Sequence, residues 1–165
     1  MNMTTFSHPT KDLRSFKVFT IEEGTVIDHI DAGQALNIIR VLNLASDDTI
    51  VTVGLNLPSK KLGHKDLIKV EFRNLTPEEA NKVAIFAPHS SINIIHNYEV
   101  TDKFSVTVPT SIERLIVCPN PSCITNAEHM NTLFHVSNGG AHLKFTCHYC
   151  EKKFQHDDIL EYRYS

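Results

Sequence analysis

The chain has 165 residues, 41% of them apolar, and a net charge of −3. That length suits one ordinary domain or two small ones, and the lack of any run of 18 apolar residues leaves no candidate membrane span. The slightly acidic balance gives no global electrostatic reason to bind nucleic acid. The polar opening MNMTTFSHPTKD reads as a flexible segment over 1–14 with no apolar leader, which points to the cytosol.

From 15 to 109 strand and helix signals alternate. FKVFTIEEGTVIDHI has two extended halves around Gly24, as a bent strand or a tight hairpin would. Asp31 follows as a candidate N-cap, with Gln34 three positions on in a capping-box pattern. QALNIIRVLNL then confines its polar residues to Gln34, Asn37, Arg40 and Asn43, which predicts a largely buried helix. DTIVTVGLNLP reads as a strand ended by a turn. KDLIKVEF alternates Ile68, Val70 and Phe72 with Lys69 and Glu71, which predicts a strand with one buried face.

TPEEANKVAIFA is a helix with every start signal in place. Thr76 caps it, Pro77 takes the first helical position and Glu79 closes a capping box. Ala80, Val83, Ala84 and Ala87 form its apolar stripe, and Pro88 stops it. SINII and YEVTDKFSVTV are further strands. The order strand, helix, strand, strand, helix, strand predicts a ferredoxin-like antiparallel sheet with two helices on one face.

The segment 110–165 has only short strands, RLIVC, FHVS and HLKFTC, with the turn SNGG (Ser137 to Gly140) making a hairpin of the last two. A unit this small needs a staple. It holds all four cysteines of the chain, Cys118, Cys123, Cys147 and Cys150, spaced C-x4-C, 23 residues, C-x2-C. Two cysteine hooks flanking a hairpin suit one tetrahedral Zn²⁺, and four soft thiolates close its shell, so the ion is structural. A disulfide pair or unligated thiols are the alternatives. A redox CxxC wants its first thiol at a helix start, whereas Cys147 ends a predicted strand. His148 lies inside the second hook and reads as a non-ligand. The predicted architecture is therefore α+β, a ferredoxin-like domain followed by a small all-β domain of zinc-ribbon or rubredoxin-like type.

Standard phosphate loops, a nucleophile elbow, HExxH and paired carboxylates are all lacking, so nothing points to an enzyme. PSKKLGHKDLIK gathers Lys60, Lys61, Lys65 and Lys69, either as a solvated loop and strand edge or as an anion site for a phosphorylated metabolite. Asp28 and His29 read equally as a strand terminus or as part of a site. A zinc-ribbon module binding nucleic acid or protein is the rival reading. The C-terminal part, with five Lys/Arg against six Asp/Glu, gives it no basic face.

GTVIDHI, GLNLPS, GHKDLIK, NYEV and CPNPSC…CHYCEKKF, taken in order, resemble the regulatory chain of aspartate carbamoyltransferase, from about Thr20 to Phe154. The resemblance implies a non-catalytic subunit of a pyrimidine-biosynthesis enzyme. Its N-terminal domain binds nucleotide effectors, and its zinc domain docks on a catalytic chain. It further implies two catalytic trimers joined by three regulatory homodimers, with CTP inhibiting, ATP activating and UTP often strengthening CTP.

Carried onto this sequence, the resemblance places the nucleotide pocket on Thr20, Ile21, Val26, Asp28 and Lys69, together with Asn93, Ile95, Tyr98, Val100 and Lys103. Asp28 would accept from ribose hydroxyls, Lys69 would reach ribose and base, and Lys103 would meet the phosphates. Backbone groups near Ile21 and Tyr98 would read the exocyclic amine that CTP and ATP share. His29 and Lys65 match positions near a second nucleotide or its metal ion. Asn120, Glu151 and Lys152 match positions facing the catalytic chain.

Overall fold

In the first strand, β1 (Gly24–Asp31), side chains alternate between faces up to a bulge at His29 that resets the parity. Thr25, Ile27 and Ile30 are wholly buried, while Val26 and Asp28 turn to the opposite face and are only half-buried. The structure, a computed structural model, describes residues 19–45, 48–138 and 142–163. The flexible-segment expectation for 1–14, the Phe16–Val18 part of the first predicted strand and the tip of the SNGG hairpin all lie outside those residues. Phe19 to Glu23 are not strand, so β1 begins at Gly24. Glycine is required there: its φ is +131°, and a Cβ would stand 2.0 Å from the Val70 carbonyl oxygen.

The N-terminal sheet runs β2 (Val51–Ser59), β3 (Gly63–Glu71), β1, β4 (Ser91–His96), β5 (Glu99–Ser105), with every neighbouring pair antiparallel. The connection from β1 to β2 is α1 (Ala35–Val41), and that from β3 to β4 is α2 (Pro77–Phe86). This is the predicted ferredoxin-like order, with β5 added at one edge through a hairpin. Ile27, Ile68, Val70 and Ile92 meet Ile38, Val83 and Ala84 of the helices in one core, all at most 0% exposed. The helices thus cover one face of the sheet.

Helix α2 starts as its sequence dictates. The Glu79 amide donates to Thr76 Oγ1 at 3.2 Å, and the Thr76 amide donates to Glu79 Oε2 at 2.9 Å. Helix α1 does not. Asp31 is the last residue of β1, and the N-cap is Gln34, whose side chain makes no capping bond. The cap comes from Asp66 on β3, whose Oδ2 accepts from the amides of Gly33 (2.8 Å) and Ala35 (3.2 Å). Its Oδ1 accepts from the Asn56 amide at 2.8 Å, where β2 bulges with Asn56 at φ 56°. A carboxylate only 1% exposed thereby fixes a helix start and a strand bulge together.

Strand β3 also departs from its alternation. Ile68 and Val70 are fully buried, but Phe72 lies past the strand end with φ 57° and is 71% exposed. Lys69, on the face expected to be wet, is buried.

The C-terminal sheet runs β6 (Ser111–Glu113), β7 (Leu133–Asn138), β8 (Leu143–Cys147), β9 (Lys153–Gln155), again antiparallel throughout. RLIVC is not a strand of this sheet. Ile116 makes one isolated bridge to Tyr162, and the pairing strand is the earlier Ser111–Glu113. Phe134, Phe145 and Ile116 form the core beneath the cysteines. A single turn, α3 (Ile124–Ala127), follows the first hook, and a 3₁₀ turn at His156–Asp158 ends the domain. There Phe86 of α2 packs on Tyr162, ring centroids 4.9 Å apart, and edge-on to His156 at 5.9 Å.

Candidate functional site

The first hook is shaped by local bonds. The Cys123 amide donates to the Asn120 carbonyl at 3.0 Å, and Asn126 Nδ2 donates to the carbonyls of Cys118 and Asn120, both at 2.9 Å. In the second hook the Glu151 amide closes on the Cys147 carbonyl at 2.9 Å, with Glu151 in the left-handed region at φ 58°. The Cys147 amide donates to the Lys152 carbonyl. These turns bring the four Sγ atoms within 4.8 Å of one another, with Cys118–Cys150 at 3.7 Å and Cys123–Cys147 at 3.8 Å.

Those separations are far from the ~2.05 Å of a disulfide. They equal the edge, about 3.8 Å, of a tetrahedron whose centre lies ~2.3 Å from each sulfur. The cluster fits a tetrahedral metal ion. Thr125 Oγ1 donates to Cys123 Sγ at 3.2 Å and so supports thiolate charge. Burial pushes the Cys118 and Cys147 thiols up. Burial acts the same way on Cys150, but the Lys152 amide and the Asn120 side chain outweigh it and bring Cys150 down to about 7. A divalent cation is the counter-charge such buried sulfurs need. His148 turns away, its Nδ1 lying 3.2 Å from His135 Nε2.

The three predicted partner-facing residues surround this cluster. Asn120 is buried in the first hook, and Lys152 Nζ donates to its Oδ1 at 3.3 Å, joining the hooks. Glu151 is exposed beside them.

A second assembly lies on the sheet face opposite the helices. Lys69 pairs with Val26, Val26 with Asn93 and Asn93 with Lys103, so one row crosses β3, β1, β4 and β5. Three strand spacings make that row roughly 14 Å long. Asp28 stands two residues from Val26 on the same face, and Ile95 two from Asn93, with Val100 as its cross-strand partner. Asn93 Nδ2 donates to the Val26 carbonyl at 3.3 Å.

The charges on this face are balanced locally. Lys65 Nζ lies 2.6 Å from Asp28 Oδ1, which also accepts from the His29 amide at 2.7 Å. Burial raises the Asp28 carboxyl, but Lys65 and His29 outweigh it and hold it below the usual carboxylate range. His29 sits in the β1 bulge at φ 58°, with Nδ1 3.3 Å from Asp28 Oδ2. Burial lowers the Lys69 ammonium, and the charge of Asp28 partly restores it. Lys69 Nζ donates to the Phe19 carbonyl, so the segment carrying Thr20 and Ile21 lies along the face. Tyr98 is in the β4–β5 turn, its amide donating to the Glu22 carbonyl at 3.1 Å. Strand register thus sets Lys69, Val26, Asn93 and Lys103 in one row, with Asp28, Ile95 and Val100 beside it.

Sequence reasoning missed Asp66, Thr125 and Asn126, and also Glu23 and His96, which join the first segment to the β4–β5 turn. A threonine two residues after a hook cysteine is a weak local signal for Thr125. Asn126 acts within the first hook on carbonyls six and eight residues back, and Asp66, Glu23 and His96 act across distances that no short pattern records.

Comparison with known proteins covers both halves of the chain. The family model described as "Aspartate carbamoyltransferase regulatory chain, allosteric domain" matches residues 16–107. Another, for the metal binding domain of the same chain, matches residues 110–160. Similar proteins include the aspartate carbamoyltransferase regulatory chain of Pyrococcus horikoshii, 49% identical over 146 residues, which are 87% of this chain and 95% of the relative. Those of Chromobacterium violaceum (44% over 146 residues, 88% and 96%) and Serratia marcescens (41% over 145 residues, 88% and 94%) bear the same name.

Proposed function

The chain belongs to the family of aspartate carbamoyltransferase regulatory chains, and from that premise we propose that it is a sensor of CTP and ATP that shifts its holoenzyme between two quaternary states. Its two domains are an allosteric and a metal-binding one, not catalytic ones, and a regulatory chain of this enzyme implies a catalytic-chain partner. The observation that carries the reading is the row Lys69–Val26–Asn93–Lys103, beside Asp28, on the sheet face free of helices.

That row offers what a nucleoside triphosphate needs. Lys103 is an exposed cation at one end, suited to phosphates. Asp28 accepts from ribose hydroxyls, and Lys69 reaches ribose and base. Val26, Ile95 and Val100 give apolar walls, while Ile21 and Tyr98 present backbone groups to an exocyclic amine. Thr20 lines the entrance. His29 and Lys65 lie where a second nucleotide such as UTP, or its metal ion, would extend the site. An effector moves the quaternary equilibrium only through its differential affinity for the two states, for a coupling of roughly 1–3 kcal/mol.

The ion in the cysteine cluster is Zn²⁺ in this reading, held by Cys118, Cys123, Cys147 and Cys150. Four thiolates at tetrahedral spacing leave no open coordination position, so the ion supplies folding energy and no chemistry. Asn120, Glu151 and Lys152 beside it would face the catalytic chain, while two copies of this chain pair as a homodimer. No nucleic-acid partner is part of the reading, because the metal domain carries no excess of basic residues. A cytosolic location suits persistent thiolates, and no helix among the described residues is long and apolar enough to cross a membrane.

Isothermal titration of the full chain with CTP, then with ATP in the presence of CTP, tests the effector site. Mutually competitive binding at one site per chain is expected. Two independent sites, or none, would overturn the assignment.

A further inference from the structure

Tyr98 holds a backbone conformation that a tyrosine disfavours. Asn97 and Tyr98 are the two central residues of the β4–β5 turn, between the paired His96 and Glu99, with φ 50° and 65°. Two left-handed residues match the turn type that suits a tight hairpin. Asparagine accepts that conformation readily, whereas a bulky side chain does not. Such strain persists only where surrounding structure enforces it.

The enforcing contacts come from Glu23. Its Oε1 lies 2.7 Å from His96 Nδ1 and its Oε2 2.8 Å from the same nitrogen, and Oε1 also accepts from the Asn97 amide at 3.3 Å. The Tyr98 amide is held by the neighbouring Glu22 carbonyl. Glu23 is itself anchored, its carbonyl accepting from the Phe72 amide at 3.0 Å. Segment 21–23 is thus bracketed between the end of β3 and the β4–β5 turn. The carboxylate of Glu23 and the ring of His96 are among the few side-chain groups tying the turn to it. Neither residue belongs to the pocket itself.

We propose that Glu23 and His96 form a positioning clamp that holds Tyr98 and Ile21 at the spacing the effector's base requires, and so set effector affinity and base preference. The proposal rests on the effector site described above. Glu23 and His96 act through the backbone they join and touch no ligand. Because the two side chains are joined by a hydrogen bond, its polarity is exchangeable: a cationic donor at 23 opposite a carboxylate acceptor at 96 would restore the side-chain link, though not the acceptor for the Asn97 amide.

The test is a charge-exchange cycle in the full chain. CTP and ATP affinities are measured by isothermal titration for the wild type, Glu23→Lys, His96→Asp and the double variant. Amide hydrogen exchange of Asn97 and Tyr98 is followed without nucleotide. Each single variant is expected to bind about two- to fivefold more weakly, the range of an exposed ion pair, with faster exchange at the turn. The double variant is expected to recover affinity and slow exchange at Tyr98, whose amide bonds the Glu22 carbonyl, while Asn97, without its Glu23 acceptor, stays fast. Both residues are at the surface, so unchanged thermal midpoints are expected to accompany these effects. A wild type that binds neither nucleotide overturns the effector site itself. A wild type that binds, with all variants binding alike or with no recovery in the double variant, overturns the clamp alone.

Discussion

The Ala35 amide, at the first position of α1, donates to the Asp66 carboxylate at 3.2 Å across 31 residues of sequence. The same carboxylate accepts from Gly33 and Asn56, so one buried side chain satisfies three donors on two segments. Removing it leaves the buried Ala35 N–H without a partner, at about 1–3 kcal/mol, and takes the acceptor from the more exposed Gly33 and Asn56 amides as well. Asp66→Ala is expected to lower stability by about 3–5 kcal/mol, read from urea denaturation followed by circular dichroism. A loss below about 1 kcal/mol would show that water replaces the carboxylate at little cost.

Acid should loosen the junction between the two domains. Burial lowers the pKa of His156 below the ordinary histidine value, and the charges of Asp157 and Asp31 only partly oppose this. A histidine with a depressed folded pKa takes up its proton more readily when unfolded. Its contribution is therefore present above the unfolded pKa, about 6.5, and is lost as pH falls through the folded value. His156 contacts Phe86, Phe145 and Tyr162, whose hydroxyl lies 3.5 Å from its Nε2. Stability measured from pH 7.5 down to 5 should fall less steeply in His156→Gln than in the wild type. Equal slopes would contradict the assignment.

Lys65 is expected to hold Asp28 ionised. In Lys65→Met the Asp28 carboxyl loses its closest cation, and the remaining burial acts to raise its pKa. Carboxyl carbon shifts in a nuclear magnetic resonance titration should show Asp28 titrating at higher pH than in the wild type. An unmoved titration would mean that the His29 amide suffices.

Loss of one thiolate should unmake the metal domain and spare the other. Cys118→Ser leaves three sulfurs and removes much of the roughly 10–16 kcal/mol apparent binding free energy of such an ion. Metal content should drop from one ion per chain to near zero, and near-ultraviolet signals of the C-terminal aromatic residues should vanish. Nucleotide binding by the N-terminal sheet should persist. Metal retained at full stoichiometry would contradict the four-cysteine site.

What the sequence revealed, and what it hid, follows from how local each cause is. Helix α2 was legible to the residue because Thr76, Pro77 and Glu79 lie within four positions and act on one another. The cysteine cluster was legible because hook spacing is itself the geometry of the ligands. Asp31 was read as the cap of α1 because it lies three residues before Gln34, whereas the acting carboxylate arrives from β3. Phe72 continued an alternation that the backbone ends one residue earlier. Lys69 falls on the polar parity of its strand because such a pattern carries no information about the Phe19 carbonyl, which accepts from its ammonium across 50 residues of sequence. The row Lys69–Val26–Asn93 comes from strand register, which pairs residues 43 apart at Val26–Lys69 and 67 apart at Val26–Asn93, beyond the reach of any local pattern.

The central claim is that this chain transmits nucleotide binding to a catalytic partner through its metal domain. It is tested most directly by co-purifying the chain with an aspartate carbamoyltransferase catalytic chain and measuring aspartate saturation with and without CTP and ATP. The account predicts a stable complex whose saturation curve moves to higher aspartate with CTP and to lower aspartate with ATP, both shifts disappearing when a mercurial strips the metal and releases the chain. A complex that forms but keeps one saturation curve under both nucleotides, or a chain that stays bound after its metal is gone, would contradict it.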